Sequence, residues 1–191
     1  TLNNRFALYY PERRPFFMEG NDIFDTPLRI MYTRSINQPT GALKLTGKVG
    51  DTRVGFLTAS DPTPPDSVLD ENFSPSALED LTKIRANTSV GRMQLDLGSN
   101  ASLGGFILHK SFTHSGNTIG HNLVGGIDGQ AFATDNLSIE SSIFGSKSKD
   151  FLNTRLDGIA HRTRAVWKND SFRLQSHYQH VSSKFRSEAG F

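Results

Sequence analysis

Between Gly41 and Ser60 the character of the chain alternates at every step. Leu43, Leu45 and Val49 share one parity with Gly41 and Gly47, and Ala42, Lys44, Thr46 and Lys48 hold the other. Gly50-Asp51 intervenes, after which Val54, Phe56, Thr58 and Ser60 alternate with Arg53, Gly55, Leu57 and Ala59. A period of two in both arms about a glycine-first two-residue turn predicts a β-hairpin. Its first arm is apolar on one side and carries lysine and threonine on the other. A sheet that is oily on one face and charged on the other suits a water-filled barrel lying in lipid. A slip of one residue would put Lys44 in oil, and a charge facing lipid at midplane costs about 2–4 kcal/mol.

The same reading extends along the chain. Strands are expected at 28–36, 41–49, 52–60, 84–98, 101–110, 120–134, 137–147, 158–168 and 171–183, about nine in all. Tight polar turns stand at Gly50-Asp51, Ser99-Asn100, Asp135-Asn136 and Asn169-Asp170. Longer connections at 61–83, 111–119 and 148–157 alternate with them, as periplasmic turns and extracellular loops do in outer-membrane barrels. The expectation is an all-β, antiparallel up-and-down transmembrane β-barrel, partial in this chain, with an irregular N-terminal segment. Ten residues at about 3.3 Å rise and about 45° tilt span roughly 23 Å, close to the apolar band of such barrels. Lys44, Lys48, Arg162, Arg164, Arg173 and His177 are then lumen-facing. Trp167, Phe112, Phe151, Tyr178 and Phe185, near strand ends, are candidates for aromatic girdles. Counting strands back from Gly50 places the residues before Leu28 at the tight-turn, periplasmic end.

Composition excludes several classes. No run of about 18 apolar residues exists, so no helical span is predicted. A net charge of +2 is too small to imply nucleic acid, and zero cysteines remove disulfide, zinc-thiolate and cysteine-nucleophile chemistry together. Charge is nonetheless uneven. Six acids and no Lys or Arg lie between Asp61 and Asp80, whereas the final third is basic. The acids read first as solvated loops and only secondarily as ligands for hard cations, and 76–81 has the composition of a short helix. The chain opens on Thr1 and an open sheet cannot stand in lipid, so a longer polypeptide with more strands after Phe191 is expected.

The densest motif precedes the strands: Pro11, Glu12, Arg13, Arg14, Pro15, Phe16, Phe17, Met18, Glu19, Gly20. Two prolines forbid a continuous helix or a central strand. Paired arginines between Glu12 and Glu19 suit a bidentate charge network anchored by the Phe pair. The motif reads as a structural clasp or as an anionic-ligand site at the barrel mouth. Two units follow: an irregular, periplasm-side clasp over 1–27, and the first portion of a barrel over 28–191.

With Asn3–Leu8, Tyr32–Ile36 and Gly41–Lys48, this motif resembles an uncharacterised family of bacterial outer-membrane proteins. Its members carry an N-terminal module similar to family 9 of the carbohydrate-binding modules, then a large C-terminal barrel. The resemblance is dense from Asn3 to Ala59 and returns at Phe185–Phe191. It implies the bacterial outer membrane as location, with lipid and lipopolysaccharide as neighbours. It also implies an upstream carbohydrate-binding-type module and a link to oligosaccharide.

No catalytic spacing is found: no Gly-x-Ser-x-Gly, no His-Glu-x-x-His and no phosphate loop. His177 and His180 fall on opposite faces of a strand, while His109, His114 and His121 flank one connection. No cofactor and no metal is expected. The functional expectation is a pore or surface receptor linked to glycan binding or uptake. The rivals are a membrane-associated carbohydrate-active hydrolase and a soluble β-sandwich carbohydrate-binding module.

Overall fold

The computed structural model describes residues 11–62, 83–149 and 153–190. Eight strands form one antiparallel sheet in chain order: β1 (Gly41–Val49), β2 (Thr52–Asp61), β3 (Ile84–Leu97), β4 (Ala101–His114), β5 (Asn117–Thr134), β6 (Leu137–Lys149), β7 (Arg155–Lys168) and β8 (Arg173–Val181). The fold is all-β and up-and-down, and among the described residues β1 and β8 are the edges of an open sheet.

The 41–60 hairpin has the register that its alternation requires. Val49 faces Thr52 and Gly41 faces Ser60, and Gly50 takes φ 58°, the left-handed region that a glycine-first turn needs. Four connections, β1–β2, β3–β4, β5–β6 and β7–β8, gather at one end of the sheet. The connection between β2 and β3 leaves from the other end.

Two expectations are corrected. Residues 28–36 are not a strand, so the strands number eight among the described residues. Their alternating Leu28, Ile30 and Ile36 are buried, but against the sheet's face rather than beside another strand. The backbone there closes on itself, Ile30 N–H to the Leu28 carbonyl at 2.7 Å, and ends in a 3₁₀ turn at Thr33–Ser35. A period of two reports one covered side; it does not report a ladder. Nor is 111–119 a long connection. β4 runs to His114, which pairs with Asn117, and Ser115 and Gly116 make the turn with φ 49° and 83°. Two successive positive φ values are the backbone of a tight hairpin turn.

The loss of the first strand also moves the N-terminal segment. Residues 11–40 lie across one face of the sheet, called the inner face below. Pro15–Met18 is a single helical turn with Pro15 at its first position, and Asn21–Phe24 is a 3₁₀ turn. Glu12 and Arg14 sit beside Thr33–Asn37, and Asn37 N–H meets Asp61 at the end of the sheet opposite the tight turns. The chain descends from there to Asp22, near Arg53, and climbs back to Thr40, whose N–H joins the Ser60 carbonyl. The described part of the clasp thus starts at the end opposite the one the strand count predicted.

One apolar cluster holds this segment down. Phe17, Ile23, Phe24, Leu28, Ile30 and Ile36 pack with Leu57, Val90, Phe106, Leu108, Val124, Phe144 and Ala160 from six successive strands. Full burial of such side chains contributes about 1.5–3 kcal/mol each. Gly55 and Gly158 make the approach possible: an added Cβ on Gly55 would stand 2.8 Å from Ile23, and one on Gly158 would strike the Phe185 backbone.

Candidate functional site: the inner face and its internal segment

The register sorts the inner face into layers. Toward the tight turns runs a polar row: Asp96, Ser102, Gln130, Glu140, Arg164 and His177. Above it come Lys48, Arg53, Gln94, Gly104, Asp128, Ser142 and Arg162. An apolar belt follows, with Phe106 and Phe144 flanking Gly126, then Leu57, Val90, Leu108 and Val124. The Phe106 and Phe144 rings meet edge to face at 6.1 Å over that glycine. A second polar layer lies beyond the belt, holding Thr88, Lys110, Asn122 and Ser148.

Cations of the wall answer the irregular segment's backbone. A segment outside helix and sheet leaves its carbonyls without ladder partners, and burying one unpaired costs about 1–3 kcal/mol. Lys44 donates to the carbonyls of Phe16 and Glu19, Arg162 to that of Pro27, and Arg92 through Nε to that of Ile23 at 3.2 Å. Lys110 reaches Ser35 at 3.4 Å and Glu188 at 3.0 Å. Lysine and arginine offer only donors, so each can end on oxygen without a competing role.

Arg92 is the most deeply committed of these. Its side chain is 2% exposed and forms a bidentate pair with Asp128, the Nη2–Oδ2 arm measuring 2.7 Å. The guanidinium crosses from β3 to β5 directly over Gly104 of β4, where a Cβ would lie 2.6 Å from Nη1. Three adjacent strands and the tip of the internal segment therefore meet at one ion pair.

Residues 182–190 close the arrangement. Asn122, wholly buried, donates to the Arg186 carbonyl at 3.0 Å and accepts the Glu188 N–H at 3.1 Å. Ser146 accepts the Arg186 N–H, and Tyr32 N–H reaches the Ala189 carbonyl at 2.5 Å. The two stretches Tyr32–Ser35 and Phe185–Gly190, far apart in the chain, are thus one contact.

The Pro11–Gly20 motif works as a clasp. Arg14 spends its donors on Glu12 at 2.8 and 2.9 Å and on the carbonyls of Thr33, Ile36 and Asn37, with its guanidinium 4.2 Å from the Phe17 ring centroid. Glu12 also accepts from Thr33 Oγ1 and from two backbone N–H groups. The Arg14 side chain is the main reason why the Glu12 carboxyl is held down from 4.5 to about 2. The side chains of Arg13 and Glu19 are exposed and do not join this network, Arg13 serving through its backbone N–H and Glu19 through its carbonyl. Phe17 is buried while Phe16 is largely open. Pro11 gives its carbonyl to Arg34, and Gly20, with φ 58°, lies so near Thr46 that a Cβ would stand 3.0 Å from its Oγ1. Asp25 at the segment's tip is pushed up by burial and, secondarily, by Asp22.

The remaining predicted positions divide. Lys44 and Arg162 are on the inner face but meet packed chain rather than an open lumen. Lys48 pairs with Asp96 at 3.3 Å, Arg164 reaches Gln175 at 3.4 Å, and His177 lies opposite Arg164. Arg173 is exposed opposite Lys168. Phe112 is buried on the inner face and Phe185 packs against the core, so neither belongs to a girdle. Trp167 and Phe172 do stack at the tight-turn end, 4.8 Å apart. His109 and His121 face each other at 6.5 Å, and among the described residues no three ligating groups converge on a metal position. The candidate helix at 76–81, most of the acidic connection, Phe151 and the Asn3–Leu8 motif lie outside the described residues. Arg92, Asp128, Lys110 and Asn122 were missed; a charge or an amide at inward parity beside apolar residues such as Val90, Leu108 and Val124 was the available signal. No family model, curated protein or solved structure matches this chain.

Proposed function

We propose that this sheet is part of the wall of a bacterial outer-membrane β-barrel, working as a gated pore or surface receptor. The observation that carries this is the outer face. From the row of Leu45, Phe56, Ile107 and Ile159 down to Trp167 and Leu174, outward positions hold no Asp, Glu, Lys or Arg. At the same heights the inner face carries Lys48, Arg53, Arg92, Asp96, Asp128, Glu140, Arg162 and Arg164. Leu45, Ile107, Ile127 and Ile159 are each more than half exposed, an arrangement that water penalises and acyl chains satisfy. The outward charges Arg85, Lys147, Lys149, Arg155 and Asp157 all lie toward the opposite end, beyond that belt.

The likeness of the Pro11–Gly20 and Gly41–Lys48 motifs to the barrel family supplies the outer membrane, lipopolysaccharide and a connection with glycan. The internal segment favours a gated or receptor role over a freely open pore, because residues 11–40 occupy the inner belt of six strands.

A chain without cysteine permits a direct test. Ile127→Cys and Ser102→Cys, each carrying one fluorophore, are compared in liposomes. Nitroxide on the acyl chains should quench the label at 127 and spare that at 102, and aqueous iodide should do the reverse. Equal iodide quenching at both positions, or protein that stays in water without detergent as a soluble β-sandwich would, overturns the reading.

A further inference from the structure

Beneath the tip of the internal segment, toward the tight turns, two adjoining cavities of about 290 and 350 Å³ share Gln94, Ser102 and Gln130 in their walls. Asp25 and Glu140 border the first, Arg53 and Phe132 the second. These residues come from the segment's tip and from β2 to β6, and the strand residues share the inward parity of the two polar rows.

What distinguishes this chamber from the rest of the inner face is unspent hydrogen-bonding capacity. Among the described residues, the side chains of Gln94, Ser102, Gln130 and Glu140 make no hydrogen bond to protein. Most of the fixed charge around them is matched, Arg92 with Asp128, Lys48 with Asp96, and Arg53 through Nη1 with Asp22 at 3.8 Å, while the buried Nε of Arg53 and that of Arg164, opposite Glu140, keep a free donor each. Two amides and the Ser102 hydroxyl each offer donor and acceptor, and the Glu140 carboxylate accepts.

That set selects among ligands. An anion would face Asp25 and Glu140. A metal ion would find no converging triad among the described residues. A purely apolar molecule would desolvate the amides and return nothing. A neutral molecule dense in hydroxyl groups matches each polar position, and the Phe132 ring gives its C–H face somewhere to pack.

We propose that this chamber binds a neutral oligosaccharide, with Gln94, Gln130 and Glu140 engaging its hydroxyls and Phe132 supporting a sugar ring. The inference deepens the reading above, because the chamber opens on the face assigned to the lumen.

The experiment is titration calorimetry on the intact protein, in whichever fraction it is recovered. Malto-, cello- and xylohexaose are the neutral probes; citrate and spermidine are the charged controls. At least one hexasaccharide should bind more tightly than either control. Gln94→Ala and Gln130→Ala should each weaken it about tenfold, the worth of one hydrogen bond, and Glu140→Gln should weaken it less. Gln38→Ala, exposed at the far end, should change nothing. Unchanged circular dichroism in each variant confirms folding, and Glu140→Gln, which preserves shape, serves if an alanine variant fails that check. No binding of any hexasaccharide, tighter binding of citrate or spermidine, or affinity indifferent to all three chamber variants overturns the proposal. The quenching experiment decides the membrane reading separately, since sugar binding can survive its failure and the converse.

Discussion

Ile107 and Leu108 are neighbours on β4, the first 55% exposed and the second wholly buried. The pair stands for the two faces of the whole sheet. Both faces are rich in aliphatic side chains, yet only the inner one is covered by protein. The inner face also tolerates charge, and at Arg92 tolerates it almost out of reach of solvent. The difference teaches that charge is admitted where the chain itself supplies an answering group. Carbonyls of residues 16–35 and the carboxylate of Asp128 do so inside; outside, Leu45, Ile107 and Ile127 have only each other and whatever medium surrounds them.

The contrast would break most sharply at Arg92. Arg92→Ala strands the Asp128 carboxylate, and removing one partner of a buried pair costs about 3–5 kcal/mol. Denaturant midpoints of the detergent-solubilised protein measure it, and adding Asp128→Asn should recover part of the loss. An unchanged midpoint for Arg92→Ala would mean that the inner face is as wet there as a channel wall.

Two consecutive glycines sharpen the same contrast. A methyl on Gly104 would press on the guanidinium held over it, whereas Gly105 points outward with nothing within 4 Å. Gly104→Ala should therefore destabilise by about 1–3 kcal/mol, as overpacking does, and Gly105→Ala by less than about 0.5 kcal/mol. Reversal of that order would exchange the faces.

The smallest effect belongs to the clasp. The Glu12 carboxyl is lowered in the folded chain, so its stabilising contribution is complete above about pH 4.5 and is lost as pH falls toward 2. Glu12→Gln should cost about 1 kcal/mol at neutral pH, given partial solvent screening. Its melting curve should converge with that of the parent as acid is added. A gap that widens on acidification would contradict the Arg14 pairing.

The hairpin at 41–60 was legible because its alternation, its turn glycine and its charges agree with one another. Residues 28–36 misled for a physical reason: Leu28, Ile30 and Ile36 alternate because one side of an irregular segment is covered. Ser115-Gly116 carried a tight-turn signal, but the polar Ser111, Thr113 and His114 around it disguised a strand that runs on to the turn. The Pro11–Gly20 motif announced rigidity, and Arg14 with Glu12 supplies it. That the Arg13 side chain would stand aside was not readable, since two adjacent arginines are alike until the backbone aims them. Least legible was the match of Arg92 with Asp128, 36 residues apart, which exists only once three strands have taken their register.

Lys44, Arg92, Lys110 and Arg162 all end on peptide oxygens of the segments laid against them. A peptide oxygen is present whatever amino acid occupies the position, so the strands of this sheet prescribe a route across its inner face without dictating the letters along it. Substitution in the threaded stretch is therefore cheap wherever the side chain is not itself interred, and the four cations are the part that drift cannot afford to touch.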